Sequence, residues 1–366
     1  MQIRTLLQNV RKTRGISAAE LAKQVEVSRQ TIYAIEDGSF VPNTAVALRL
    51  ARILDVSVEE IFALDKPNET RAVDAELLAG SEPEEGRLVQ LCTVNERLMA
   101  VPVPGFPTYL PAADGAISGK SGSRVSVQPA VDLPLSGKRL LLAGCDPALS
   151  LLAEALEPSG IEMIAVSCSS RRALEYLKQG RVHGAGSHLR DSASGDYNVP
   201  LINRLFPEGG IRIVTFAVWE QGLVLSRGNA KNIRSIPDLA DKRAIVMNRE
   251  KGSGSRDLLD KELRKAGVAP KTLTGYENRA SGHLSAAYAV ATGKAECCVA
   301  TRSAARRFGL DFIPLAVERF DLAFSKESLQ LPAVKALLDL LNRSALKRKL
   351  ETIAGYDTAH TGDVLV

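Results

Sequence analysis

Apolar residues fall at helical spacing near the start of the chain, and the spacing predicts an all-helical domain over residues 1–64. Leu6, Leu7 and Val10 share one helical face, with Arg11, Lys12 and Arg14 following. Leu21 and Ala22 belong to one helix, Val25 and Val27 flank a turn, and Ile32 and Ile35 belong to the next helix. Residues 65–136 lose this periodicity. Asp65–Gly86 is polar, and Pro67, Gly80 and Pro83 bracket the segment RAVDAELLA, expected to be a helix within a linker. LVQLCTV and LMAVPV predict two strands about the turn residues Asn95 and Glu96. Pro104–Pro134, rich in Gly, Pro and Ser, is expected to form irregular strands and loops, so the whole region reads as a small β-containing connector. From Lys138 a new rhythm begins. KRLLLAG and CDPALSLLAEALEPSG, then IEMIAVS and SSRRALEYLKQGR, then RAIVMN and DLLDKELRKAG, alternate strand with helix. SAAYAVATGKAE and CCVAT continue the pattern, which predicts parallel βαβ units over residues 137–366, ending in helices.

The second helix of the pair over Ala18–Ile35 carries the first chemical signal. Ser28 is placed to cap it, its hydroxyl accepting from the backbone N–H near Thr31. With Ile32 and Ile35 inward, Arg29, Gln30 and Tyr33 project outward. In a helix-turn-helix such a helix enters the major groove N-terminus first. Arg suits guanine O6/N7 and Gln suits adenine N6/N7, while Ser28 and Thr31 suit phosphates or bases.

The loop Asn248–Arg256, NREKGSGSR, carries the second. Gly252 and Gly254 let the backbone turn tightly and approach a ligand, Ser253 and Ser255 offer hydroxyls, and the following helix start makes an anion site. Arg256 adds fixed charge, or pairs with a carboxylate nearby. The phosphate-loop pattern G-x-x-x-x-G-K-[ST] is absent. Two further strand-to-helix junctions carry Asp146 with Ser150, and Ser167, Ser169, Ser170 and Arg171, as at the carboxyl edge of a parallel sheet. Asp146 would repel an anion, so it reads as a helix cap, a donor-orienting group or a contact for a cationic ligand.

Composition narrows the choice of partners. A net charge of +5 fits an anionic partner, although nine basic and eight acidic residues leave the first 66 positions nearly neutral. Five cysteines without a C-x-x-C pair argue for reduced thiols, and no apolar run has the length of a membrane span. The chain is therefore expected to be cytoplasmic, with no catalytic set, resident metal or cofactor. Cys297 and Cys298 read as buried small residues, His183 and His188 as core or cleft-wall residues, and Lys347–Lys349 as a solvated helix face.

Residues 4–62 resemble the Cro/phage-repressor (xenobiotic-response-element) family. The matching parts are L-A in one helix, V-S-R-Q-T-I in the next, I-E-D-G with a following Pro, and a closing L-A-x-x-L-x-V. The chain departs from that family at Ala18, where a DNA-contacting Gln is common, and at Glu26, where the turn often has Gly. Residues 138–362 resemble a molybdate-binding, periplasmic-binding-protein-like domain. The match rests on D-P-A-L at Asp146, L-x-x-G-x-V-H-x-A-G-x-H-L over Leu177–Leu189, Y-N-x-P at Tyr197, N-R-x-x-G-S-G-S-R and a final G-Y-D. The resemblances imply a five-helix DNA-binding domain (1–64), the connector (65–136) and a two-lobed type II α/β domain (137–366). Lobe I would comprise about 137–215 and 312–366, and lobe II about 216–311. They also imply operator DNA as partner, a homodimer, and molybdate or tungstate in the cleft. Asp146, Ser169, Ser170, Arg171, Tyr197, Asn248, Arg249, Ser253, Gly254, Ser255, Arg256 and His283 are the expected lining. SCSSRR and Ser281-Gly282-His283 depart from the usual loops, leaving a different organic effector open. An enzyme using Cys168, and a DNA-anchored buffer, are the other readings.

Overall fold

Ser17, Ser28, Asn43 and Ser57 each precede a helix and accept a hydrogen bond from the backbone three residues on, which fixes four of five helix starts in the N-terminal unit. In this computed structural model residues 3–64, 72–78, 84–103, 112–122, 124–130, 137–191 and 193–366 are described. The chain divides into two units, residues 1–71 and 72–366. The first holds α1 (Leu7–Thr13), α2 (Ala18–Val25), α3 (Arg29–Glu36), α4 (Thr44–Leu54) and α5 (Val58–Ile61). A short ladder of β1 (Ile3–Thr5) with β2 (Phe62–Leu64) joins its ends, which the helical spacing did not predict. Leu7, Leu21, Val25, Ile32, Ile35, Leu50, Leu54 and Ile61 fill its core. Arg11 is buried against Glu36 in a two-pronged pair, with Nε 2.5 Å from Oε1. The turn between α2 and α3 is held by Glu26 in the left-handed region, φ 62°.

The second unit begins with a closed barrel of β3 (Val73–Leu77), β4 (Leu88–Val94), β5 (Arg97–Pro102), β6 (Gly115–Ser121) and β7 (Arg124–Pro129). This corrects one expectation. The described part of RAVDAELLA is a strand, because Val73, Ala75 and Leu77 alternate onto the barrel interior beside Val89, Leu91, Ala100 and Val127. Gly115–Ser121 and Arg124–Pro129 pair as the strands expected in this stretch, with a register shift between Ile117 and Gly119, and their place in a closed barrel is the part the sequence did not suggest. The predicted Asn95-Glu96 turn is present, both residues at positive φ as a two-residue hairpin requires.

The other barrel face packs on the α/β body. Cys92, Val94, Met99 and Val101 share a core with Leu141, Ala143, Ile164, Leu174 and Leu177. Polar clamps reinforce the joint. Arg139 reaches Asp114 at 2.5 Å and also pairs with Glu162, and Arg97 donates to the carbonyls of Gln179 and Gly180 at 2.7 and 2.6 Å.

The body alternates β8 (Arg139–Gly144), α6 (Leu149–Leu156), β9 (Glu162–Ser167), α7 (Ser170–Lys178), β10 (Gly184–Ser187) and α8 (Val199–Leu205). The long strand β11 (Ile211–Leu225) then leads into α9 (Ile236–Asp241), β12 (Val246–Arg249), α10 (Gly254–Lys265), β13 (Arg279–Ala280), α11 (His283–Ala291), β14 (Cys297–Thr301) and α12 (Arg302–Arg307). A second long strand, β15 (Asp311–Ser325), returns to α13 (Pro332–Leu341), α14 (Ser344–Glu351) and β16 (Tyr356–Asp357). The strand order β13-β12-β14-β11-β15-β10-β8-β9 runs through both lobes, with β16 also on β11. β11 and β15 pair from Ile211–Ser325 to Leu225–Asp311 and are the two crossing strands. Alternate residues of β8 face opposite cores, Leu140 and Leu142 toward α6 and α13, Leu141 and Ala143 toward α7. No described helix is long and apolar enough to cross a membrane.

Three stability changes are expected. Glu26→Gly relieves a left-handed backbone at the loss of only an exposed pair with Arg49, and should raise N-terminal stability by about 1 kcal/mol in urea denaturation followed by circular dichroism. Arg139→Leu strands the buried Asp114 and should cost about 3 kcal/mol in the C-terminal transition. His183 accepts from the Leu141 N–H at 3.0 Å, and burial holds its ring down at about 4 against an ordinary 6.5. The unfolded chain therefore binds the extra proton between those values, and stability is lost as pH falls from about 6.5 to about 4. His183→Gln should lose about 3 kcal/mol less over that window in a pH series of thermal midpoints.

Candidate functional site

The outward face of α3 is built as its sequence suggests. The Ser28 hydroxyl accepts from the Thr31 N–H at 3.0 Å, and Arg29, Gln30 and Tyr33 are exposed while Ile32 and Ile35 are buried. Arg29 lies over the Tyr33 ring and donates to its hydroxyl at 2.7 Å, so the two side chains form one surface feature. Thr31 is half-buried, its hydroxyl 2.8 Å from that of Ser28.

In the second unit the strand ends of the two lobes meet across the crossing strands. From lobe I, Asp146 follows β8 and its Oδ1 accepts from the Ala148 N–H at 2.7 Å and from the Tyr356 hydroxyl. Its Oδ2 has no partner among the described residues, and burial pushes the carboxyl up to about 7. Ser169 and Ser170 open α7, and the Ser170 hydroxyl accepts from the His188 N–H at 3.3 Å. From lobe II, Ser253 caps α10 by accepting from the Arg256 N–H, and Gly254 follows directly. Gly252 turns the loop at φ +86°, and a Cβ on Gly254 would stand 2.3 Å from the His188 ring. Arg171 of lobe I and Asp257 of lobe II pair at 3.6 Å. The N-termini of α7 and α10 thus approach each other from opposite lobes.

Several buried polar atoms here lack partners among the described residues: Arg249 Nη1, Ser255 Oγ, Trp219 Nε1, Gln221 Oε1 and both ring nitrogens of His283. Each such atom costs about 1–3 kcal/mol unless something bonds it. Arg249, 1% exposed, is fixed by the carbonyls of Ala280 and Ser281 at 3.0 and 3.2 Å. His188 Nδ1 sits 2.6 Å from Glu318 Oε2 and 3.1 Å from Gln221 Nε2. Burial pulls its proton affinity down, but Cys145 and Glu318 outweigh burial and raise it to about 10. His283, wholly buried, is held well below its ordinary value by burial and by Arg249. The rings of His188, His283 and Trp219 lie within 5.9 Å of one another, and Trp219 stands against Tyr356.

Not every expected residue points into this cluster. Arg256 donates to the Arg249 carbonyl, lies 4.6 Å over the Tyr276 ring and pairs with Glu277, so its charge is spent within lobe II. Asn248 holds the Tyr276 carbonyl, and Tyr197 donates to the Val317 carbonyl on β15. Cys145, Trp219, Gln221, Glu318 and Tyr356 were not singled out from the sequence. The crossing strand gave little signal, because Glu318 there stands among Asp311, Arg319 and Asp321. Cys168 is buried, its thiol pushed up to about 12, and Cys297 and Cys298 lie in separate cores on opposite faces of β14.

Residues 152–342 match the family model of the PBP superfamily domain, and residues 7–61 match a helix-turn-helix model. The uncharacterized protein YvgK of Bacillus subtilis is 32% identical over 228 residues, 62% of this chain and 73% of that protein. An uncharacterized HTH-type transcriptional regulator of Methanothermobacter thermautotrophicus is 45% identical over 65 residues, 18% of this chain and 94% of that protein. Among solved structures, a putative phosphate ABC transporter substrate-binding protein with bound phosphate, from Clostridium perfringens, superposes with a TM-score of 0.44 at 14% identity. That likeness covers 58% of this chain and 97% of the other.

Gly254→Ala drives a methyl into a ring pinned by Glu318 and should open the lobes. The expected readouts are a larger radius of gyration in solution scattering and faster acrylamide quenching of Trp219, the single tryptophan.

Proposed function

This chain belongs to the PBP superfamily and carries an N-terminal helix-turn-helix domain, and we propose that it is a transcriptional regulator whose interlobe cleft takes up an oxyanion of the molybdate or tungstate kind. The observation that carries the effector reading is the approach of two helix N-termini, those of α7 and α10, with Ser255 Oγ and Arg249 Nη1 buried beside them and without a partner among the described residues. Helix N-termini favour negative charge, and a hydroxyl with a fixed guanidinium donates to oxygen without taking a proton. Asp146, whose burial favours the neutral acid, can donate to an anion rather than repel it.

The regulator acts by binding, without chemistry of its own. Burial of Cys168 as a thiol favours that reading over a nucleophile. In the cytoplasm, a homodimer presents two copies of α3 to successive major grooves, with Arg29 and Gln30 at base edges and Ser28, Thr31 and Tyr33 beside them. Effector binding selects the closed lobes and so shifts operator affinity.

Millimolar molybdate or tungstate should raise the thermal midpoint of the C-terminal unit, and sulfate should not. At a hundredfold excess over Kd the gain is about 2.7 kcal/mol, and Ser255→Ala should reduce it. No rise with any of these anions would sink the oxyanion reading and point to an organic effector. On DNA selected by the wild-type chain, Gln30→Ala should weaken binding by about 1–3 kcal/mol in a mobility-shift titration. Unchanged affinity would remove Gln30 from base reading.

A further inference from the structure

We propose that Cys145, His188 and His283 bind one soft or borderline transition-metal ion, Zn2+ or Cu+, and that this ion ties lobe I to lobe II. The proposal stands on the side-chain cluster alone and does not need the oxyanion reading. The three donor atoms lie within 4.8 Å of one another and all three residues are buried. Tetrahedral zinc with ordinary Zn–N and Zn–S bonds places its donors roughly 3.3–3.8 Å apart, so side-chain rotations of about an ångström complete the site. The linear sequence carries no metal signature because the donors come from three distant segments: the end of β8, the residue after β10 and the start of α11.

Three features separate this cluster from a chance meeting of polar side chains. First, His283 is fully buried and neither of its ring nitrogens has a partner among the described residues. An imidazole in that state gains directly from a metal bond, which needs only its neutral form. Second, His188 is oriented from behind. Its Nδ1 donates to the Glu318 carboxylate at 2.6 Å, a carboxylate to which Gln221 Nε2 also donates, leaving Nε2 as the coordinating atom. A carboxylate behind the non-coordinating nitrogen fixes the tautomer and strengthens the ligand, as in other histidine metal sites. Third, anionic groups stand beside the cluster to set against the ion and the Arg249 guanidinium near His283: the Cys145 thiolate formed on binding, the Glu318 carboxylate and Asp146, whose Oδ2 has no partner among the described residues.

The donor set fixes the class of metal. One sulfur and two imidazoles select Zn2+ or Cu+ over Mg2+ and Ca2+, which require oxygen ligands. Three protein ligands leave a fourth position free for water or an effector atom. Cys145 and His188 belong to lobe I and His283 to lobe II, so the ion is held only when the lobes are closed.

The test uses the full chain, stripped with a chelator and dialysed against Zn2+, and in parallel titrated with Co2+ as a spectroscopic probe. The expected result is one Zn2+ per chain, a raised thermal midpoint, and a Co2+ complex with tetrahedral ligand-field bands and a thiolate charge-transfer band. Cys145→Ser should abolish the charge-transfer band, and His283→Gln should weaken binding at least tenfold. Cys168→Ala, which removes a neighbouring thiol outside the cluster, should leave both unchanged. Circular dichroism of the metal-free variants checks that they fold, and the wild-type stoichiometry and midpoint stand even where a variant does not. Failure of the wild type to retain Zn2+ and to form the Co2+ thiolate complex, or a thiolate band that survives in Cys145→Ser, would overturn the proposal. Molybdate added to the chelator-treated protein separates the two readings. A response there without any metal uptake overturns only the metal site, and metal uptake without an anion response overturns only the oxyanion reading.

Discussion

Every feature of the cleft depends on two strands that belong to both lobes at once. β11 and β15 are hydrogen-bonded along their whole length, and each lobe completes its sheet on one half of the pair. The strands approach so closely at Gly222 that a Cβ there would stand 2.0 Å from the Ile313 carbonyl oxygen. The ladder shifts register beside Thr215 and again at Gln221–Gly222, on either side of Trp219. Regular pairing therefore holds each lobe rigid, and the places where pairing slips flank the side chains that face the other lobe. Gln221 and Glu318 stand on this shared pair, where Gln221 donates to the Glu318 carboxylate that holds His188 from lobe I. Closure consequently gathers a group of buried polar atoms that have no partner among the described residues.

Much of the scaffold was legible because its causes are local. Serine and asparagine caps, the spacing of Leu21, Val25, Ile32 and Ile35, and apolar runs such as LLLAG each act within a few residues. The barrel was harder. Val73, Ala75 and Leu77 alternate as a strand should, but over so short a segment they also suit a helix, and only closure onto β5 and β7 decides. The cleft was partly legible: the loop before α10 and the start of α7 were visible from Gly and Ser at strand ends. Arg256 shows the limit, since a sequence cannot say that Tyr276 and Glu277 will claim its charge. Cys145, His188 and Glu318 come together only through the topology, so no spacing rule connects them.

The barrel contributes to the same architecture. Its Arg97 and Asn95 satisfy carbonyls just past α7, where a helix leaves acceptors exposed, and Arg139 carries the reciprocal contact from β8 into the barrel. These contacts all fall on lobe I. Barrel and lobe I therefore share one packed core as well as these polar ties.

The insertion of lobe II between the two crossing strands also sets an order of events at the ribosome. Gly184 of β10 pairs with Phe324, and Ile213 of β11 with Ala323, so the sheet of lobe I keeps an open edge until β15 has been synthesised. Lobe II, whose internal strands and helices lie between β11 and β15, can begin to assemble in that interval. The nascent chain thus exposes an unpaired, apolar strand edge for the time taken to make more than a hundred residues, the condition under which chaperones are recruited and chains mispair.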